Sequence, residues 1–264
     1  MELDRISTCT YPLREEPLDS ALATLAGCGF GKIDLWGRPP HFSADPAELA
    51  PEAIEAAAEA AGVRIANLGS YPGADFAADS QAEQEKALAE MKATIDLAER
   101  LGARSIRVRP GTSDDPAIIP TLVPWFRASA AYAAEHGIFL GMENHAGSLA
   151  GLPDACVELC EKVGSPHFGI LYEPCNLLHG GVDYKAVFSR FAPWIVHIHV
   201  KDGLREGGRF RCTHLGEGEI DYPWVIENME RLGYEGDYAL EYEIRDVEPI
   251  ETGLPRWLDH FLKL

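Results

Sequence analysis

Eight short apolar runs alternate with eight longer stretches of helical period along the 264-residue chain, and this rhythm constrains the fold more than any other feature. The runs are RISTC (5–9), KIDLW (32–36), VRIANLG (63–69), SIRVR (105–109), IFLGME (138–143), FGILYE (168–173), IVHIHVK (195–201) and YALEYE (238–243). The helical stretches lie near 17–28, 46–61, 79–101, 115–136, 152–163, 183–191, 222–232 and 252–262. Short β runs separated by helices are the pattern of βαβ units and a parallel sheet. Asp45-Pro46 and Asp115-Pro116 predict helix starts, each a capping carboxylate followed by proline in the first turn. Gly62, Gly102, Gly137 and Gly233 predict helix ends. Eight such units predict an α/β protein, a single (β/α)8 TIM barrel over residues 1–264. An open doubly wound sheet has a similar rhythm, but no G-x-G-x-x-G follows the first run, so a dinucleotide fold lacks its main signature.

Charge narrows the function classes. The formal net charge is −19, and a surface that acidic repels phosphate backbones, which argues against nucleic-acid partners. No apolar run reaches the roughly 18 residues of a membrane span. The start, MELDRISTCTYPL, has no basic region followed by a long apolar one. The six cysteines form no C-x-x-C pair, as expected of a reduced chain. A soluble cytoplasmic protein is the expectation.

Strand parity then locates chemistry. In a barrel one strand face meets the helices and is apolar, while the other lines the interior. The seventh run sends Val196, Ile198 and Val200 outward and His197, His199 and Lys201 inward. The same parity turns Arg107, Arg109, Glu143, Glu173, Glu241 and Glu243 inward. Four consecutive strands therefore end in an inward polar residue: Glu143, Glu173, His199 and Glu241. Any one alone reads as an ordinary strand-end group. Three carboxylates converging on one cavity must share protons or bind a cation, and an imidazole beside them completes a divalent site. Three oxygen donors and one nitrogen suit Mn2+, Mg2+ or Co2+, with Zn2+ as a further candidate, better than a sulfur-rich structural zinc site does.

Five segments carry a more specific signal: GMENH (141–145), GILYEPCNLL (169–178), VHIHVKDG (196–203), LGEGEIDY (215–222) and GYEGDYALEYE (233–243). Together they resemble the xylose-isomerase-like barrels, the sugar phosphate isomerases and epimerases, over nearly the whole chain. That resemblance implies one divalent metal held by Glu143, Glu173, His199 and Glu241, with His199 rather than His197 as the imidazole ligand. Two positions depart from the family pattern. Glu173 stands where Asp is usual, and Asn176 stands where ketose 3-epimerases usually carry His. DNA-repair endonucleases share the fold, but they need further histidines on the early strands and a D-x-H before the LGEG turn. Here those places read LGSY (68–71), RVRP (107–110) and RFRCTH (209–214).

The resemblance implies a metal-dependent isomerase or epimerase of a small sugar or polyol ketone, working by proton transfer through a metal-stabilised enediolate. Glu143 and Glu241 are the expected catalytic pair, one removing the proton and the other returning it. Loss of a β-hydroxyl from the same site would make the chain a dehydratase of an inosose- or dehydroshikimate-like substrate. Cleavage of a C-glycoside bond, or binding without turnover, are further readings. Candidate substrate contacts are Lys201, Arg109, Trp36, His145, Asn176, Arg209 and Arg211. For Lys201 the alternative is a pair with Asp202, for Arg109 an interior salt bridge, and for Arg209 and Arg211 a solvated loop. Family barrels often pair or form tetramers, yet no exposed apolar face in the sequence marks a homo-oligomer interface.

Overall fold

In the computed structural model, which describes residues 1–264, eight parallel strands close into a barrel. In chain order the elements are β1 (Ile6–Cys9), α1 (Leu18–Gly27), β2 (Lys32–Trp36), α2 (Pro51–Ala61), β3 (Arg64–Gly69), α3 (Gln81–Leu101), β4 (Ser105–Val108), α4 (Ile119–Glu135), β5 (Phe139–Glu143), α5 (Pro153–Val163), β6 (Phe168–Tyr172), α6 (Pro174–His179), α7 (Tyr184–Phe191), β7 (Ile195–Val200), β8 (Asp202–Glu206), β9 (Arg209–Thr213), α8 (Tyr222–Arg231), β10 (Tyr238–Leu240) and α9 (Ile250–Leu262). Strands β1 to β7 and β10 form the barrel, and β8 and β9 are a separate antiparallel hairpin. No helix is long and apolar enough to cross a membrane.

The expected alternation closes the barrel, except at Val196, where the register between β6 and β7 shifts and the side chain lies against Gly141 and Gly169 instead of pointing outward. Outward residues such as Ile170, Tyr172, Ile198, Val200, Tyr238 and Leu240 are fully buried under the helices. The helices answer with apolar stripes: α8 buries Val225, Ile226 and Met229, and α9 buries Leu254, Trp257, Leu258 and Phe261, spacings that share one helical face. Where the interior narrows, glycine is required. Gly141 and Gly169 are cross-strand partners, and a Cβ on Gly169 would sit 2.0 Å from the Trp194 carbonyl oxygen.

The helix ends follow the glycines. Gly62 and Gly102 each take a left-handed backbone (φ 68° and 72°) directly after α2 and α3. One helix start differs from expectation. Asp45 does bond the Ala47 N–H, but only within a turn, and α2 begins at Pro51. A residue before proline is pushed out of the helical region, and Ala50 is extended (ψ 134°), so the 46–61 stretch breaks there. Several strands are shorter than the sequence runs, β7 among them, which stops at Val200. Pairing in β10 stops at Leu240, although the Glu241 N–H still donates to the Val200 carbonyl at 2.9 Å. Strand β6 stops at Tyr172, because Glu173 becomes the N-cap of α6, and β4 stops at Val108. The segment after β7 is a paired hairpin rather than an irregular loop.

Candidate functional site

The LGEGEID motif is explained by one buried side chain. Asp202, two residues after β7, accepts N–H bonds from Gly203, Gly216, Gly218 and Ile220 at 2.8 to 3.1 Å. A Cβ on Gly218 would lie 2.1 Å from the Asp202 carboxylate, so the approach needs glycine. Asp202 is thereby committed to folding this loop over the barrel end. Lys201 is left to point inward, and its partners are Glu241 (2.8 Å), Glu243 (2.8 Å) and Glu173 (3.5 Å). The pairing of Lys201 with Asp202 does not occur.

Glu143 ends β5, His199 lies inside β7, and Glu241 follows β10 on the neighbouring edge. All three are buried, and one ligand atom of each lies within 4.8 Å of the others. His199 Nδ1 is 3.2 Å from Glu143 Oε1 and 3.7 Å from Glu241 Oε2. Arg107 comes across from β4 to 2.6 Å from Glu143 Oε2, an ion pair without hydrogen-bond geometry, so that oxygen has no hydrogen-bond donor.

The charges here are set by neighbours rather than by solvent. Burial favours the neutral form of Glu143, but Arg107, His199 and Lys201 outweigh it and hold the carboxyl well below its usual range. Glu241 follows the same logic: burial opposes its charge, and Lys201 and His199 win. Lys201 pays a burial penalty too, yet the carboxylates around it hold its ammonium well above the usual value. His199 is likewise raised, burial being outweighed by Cys9, Glu241 and Asp34 around the ring.

Glu173 stands apart from this group. Its Oε1 accepts from the Cys175 N–H (2.8 Å) and its Oε2 from the Asn176 N–H (2.7 Å), so both oxygens cap α6. Asn144 clamps its backbone from both sides. Burial pushes the Glu173 carboxyl up to about 8, with Lys201 pulling the other way. The structure thus brings together three of the four expected ligands and places the fourth at a helix start.

A cavity of about 260 Å³ opens above these groups, lined by Tyr11, Tyr71, Arg107, Arg109, His145 and Lys201 among others. A smaller space of about 20 Å³, room for about one water-sized occupant, lies between Trp36, Asp34, His199 and Glu241. Trp36 packs edge-on against Tyr11 and His41, and its buried indole N–H has no partner. Arg109 donates to the Gly147 carbonyl at 2.8 Å and makes no salt bridge. His145 is exposed at the rim, its ring bonded to the Ala146 carbonyl. Asn176 does not line the cavity, and its buried side-chain amide nitrogen has no partner.

Arg209 and Arg211 do not line the cavity either. Alternate residues of a ribbon share a face, and both arginines lie exposed on β9, Arg211 reaching Glu206 at 3.5 Å. Phe210 and Cys212 take the more covered face, with Phe210 stacked on His179.

Sequence reasoning missed Asp34. It is 2% exposed at the middle of β2, bonded by the Ser7 hydroxyl (2.8 Å) and by His197 Nε2 (2.7 Å), and 3.4 Å from His199 Nε2. The parity rule used on the later strands would have found it, because Ile33 and Leu35 point outward on either side. Tyr71, held between the guanidinium groups of Arg38 and Arg107, gives no such signal in the sequence.

Comparison with known proteins agrees with this architecture. The Rhizopine catabolism protein MocC of Rhizobium meliloti is 25% identical over 87% of this chain and 75% of its own length. A putative hydroxypyruvate isomerase of Streptomyces coelicolor is 28% identical over 89% of this chain and 87% of its own. Other relatives are named inosose dehydratase and putative L-ribulose-5-phosphate 3-epimerase. A Mycobacterium smegmatis barrel solved in complex with magnesium superposes with a TM-score of 0.81 at 18% identity, covering 98% of this chain and 95% of that one. The model of the xylose isomerase-like TIM barrel family matches residues 22–264, and the chain belongs to that family.

Proposed function

We propose that the chain is a divalent-metal-dependent isomerase or epimerase of a small sugar or polyol ketone, moving a proton at the carbon beside the carbonyl. The observation that carries this reading is the pairing of two buried carboxylates, Glu143 and Glu241, around the single imidazole nitrogen His199 Nδ1. The residues fit a divalent ion. Their donor atoms lie within 4.8 Å of one another, and two buried carboxylates with one imidazole nitrogen are a donor set that such an ion takes. Glu143, His199 and Glu241 would hold the ion, with Mn2+, Mg2+ or Co2+ suited to the oxygen-rich set and Zn2+ next. Glu173, with both oxygens held by the Cys175 and Asn176 N–H groups, stays the cap of α6 rather than joining as a fourth ligand. When bound, such an ion supplies electrostatic stabilisation of the negative charge that develops on the substrate oxygen.

The chain's own groups do the rest. Glu143 and Glu241 are held ionised, so either can accept a proton from the carbon, and two carboxylates allow the proton to be returned to a different face or carbon. Lys201, bridging Glu241 and Glu243, carries positive charge to the same spot and holds a substrate oxygen. Arg109 and His145 at the cavity wall contact the distal part of the substrate, and Trp36 offers an apolar face. Relatives named as dehydratases favour a second reading, in which the same proton removal is followed by loss of a β-hydroxyl.

The test is to incubate Mn2+-, Mg2+- or Co2+-loaded protein in D2O with ketoses, their phosphates, hydroxypyruvate and inososes, and to follow products by proton NMR. Deuterium beside the carbonyl, or a new epimer or isomer, supports the proposal. An alkene signal moves the assignment to dehydratase. No exchange with any compound, in protein shown to have bound metal, contradicts proton-transfer chemistry.

A further inference from the structure

We infer that Asp34 is a positioning residue for the metal site, fixing which nitrogen of His199 is offered as a ligand; the inference rests on the metal-site reading above. The two ring nitrogens of His199 face different surroundings. Nδ1 faces Glu143 and Glu241, at 3.2 and 3.7 Å. Nε2 faces the opposite way, toward Asp34 Oδ2 at 3.4 Å, an ion-pair contact that tightens to a hydrogen bond when Nε2 carries the proton, and toward Cys9 Sγ at 4.0 Å. A histidine can ligate through Nδ1 only if its proton sits on Nε2, and that proton needs an acceptor. A thiol is a weak acceptor, so the carboxylate of Asp34 is the group that can take it.

Asp34 also lies with Cys9 and His199 in a second buried group of possible ligand atoms. That group has one carboxylate and a thiol where the Glu143–His199–Glu241 group has two carboxylates, and Asp34 is already held by bonds of its own. It comes from β2, across the barrel from the ligands, and is 2% exposed. The Ser7 hydroxyl fixes Oδ1 at 2.8 Å. His197, two residues before the ligand on the same strand, fixes Oδ2 at 2.7 Å. Neither bond neutralises the carboxylate by an arginine or lysine, and both leave Oδ2 aimed at His199. The pair of inward histidines in VHIHVKDG thus divides the work. His199 serves the centre, and His197 steadies the anion that orients His199.

The test measures Mn2+ affinity by calorimetry for wild type and Asp34→Asn, together with the His199 ring in 15N-histidine-labelled, Zn2+-loaded protein. The expected results are a dissociation constant about 10- to 100-fold weaker in the variant, and in wild type a slowly exchanging Nε2–H with a metal-shifted Nδ1. In Asp34→Asn that Nε2–H should move upfield and exchange faster, a signature that a purely structural role would not produce. Affinity within twofold of wild type, or metal bound through Nε2 with the proton on Nδ1, overturns the inference. If the variant does not fold, the wild-type ring assignment decides alone. A wild type that takes up no Mn2+ or Zn2+ overturns the metal-site reading and this inference with it, whereas an unperturbed variant beside a metal-binding wild type overturns the inference only.

Discussion

The two halves of the barrel interior are chemically different. Strands β1 to β3 present Ser7, Cys9, Asp34 and Asn67, small groups whose hydrogen bonds run among themselves and to their neighbours. The second half presents Glu143, His199, Lys201 and Glu241, charged groups that are paired with each other and with Arg107 from β4. The difference separates support from chemistry. A buried network of neutral donors and one well-held anion costs little to keep in place. A cluster of buried charges is costly unless every member has a counter-charge, and a fold retains it where the cluster has work to do.

Substitutions can break or sharpen this division. The largest effect is expected in the second half: Glu143→Gln or Glu241→Gln should lower proton exchange by about 10²- to 10⁴-fold, measured as deuterium incorporation with the true substrate. Retention of normal exchange by both would end the assignment of these carboxylates. Arg107→Met comes next. It strands Glu143 without its counter-ion, so the metal-free protein should lose about 3–5 kcal/mol of stability in urea unfolding, and added Mn2+ should restore part of it. Full stability in the presence of a chelator would show that Glu143 does not depend on Arg107.

Proton competition gives a further test. The His199 pKa is raised in the metal-free site, burial being outweighed by Cys9, Glu241 and Asp34 around the ring. The ligand form is neutral, so a proton must leave before metal can bind, and affinity should rise with pH until that proton is gone. A pH-independent Mn2+ affinity across the neutral range would contradict the ligand role. Glu173 should behave as a helix cap: Glu173→Ala is expected to cost about 1 kcal/mol in unfolding while Mn2+ affinity changes little. A loss of affinity matching that of Glu143→Gln would place Glu173 among the ligands. The smallest effect is expected at Arg209 and Arg211, where alanine should change stability by no more than about 0.5 kcal/mol and leave turnover intact.

Particular residues show what could be read from the chain. The barrel was legible because each βα unit repeats the same switch of hydrophobic period, and Glu143, His199 and Glu241 stood out as charges interrupting apolar strand ends. Glu173 obeyed the same pattern, yet its role depends on two backbone N–H groups that exist only once α6 has formed. The β8–β9 hairpin was harder to read: RFRCT does alternate charged with apolar residues, but Phe210 and Cys212 make a stripe of only two on a ribbon whose other strand, DGLRE, is mostly polar. Helix α2 began late because Pro51 overrode the Asp45-Pro46 signal. Asp34 was within reach of strand parity and went unread because KIDLW looks like an ordinary buried strand with a lysine at its start and one charge inside.

The most direct measurement is anomalous diffraction from a crystal of the Mn2+-loaded protein, collected on either side of the manganese edge. The account predicts one strong peak at roughly 2.0–2.3 Å from a Glu143 oxygen, a Glu241 oxygen and His199 Nδ1, with Lys201 displaced from Glu241 toward Glu243. A peak held by other residues, or a loaded crystal with none at this position, would contradict it.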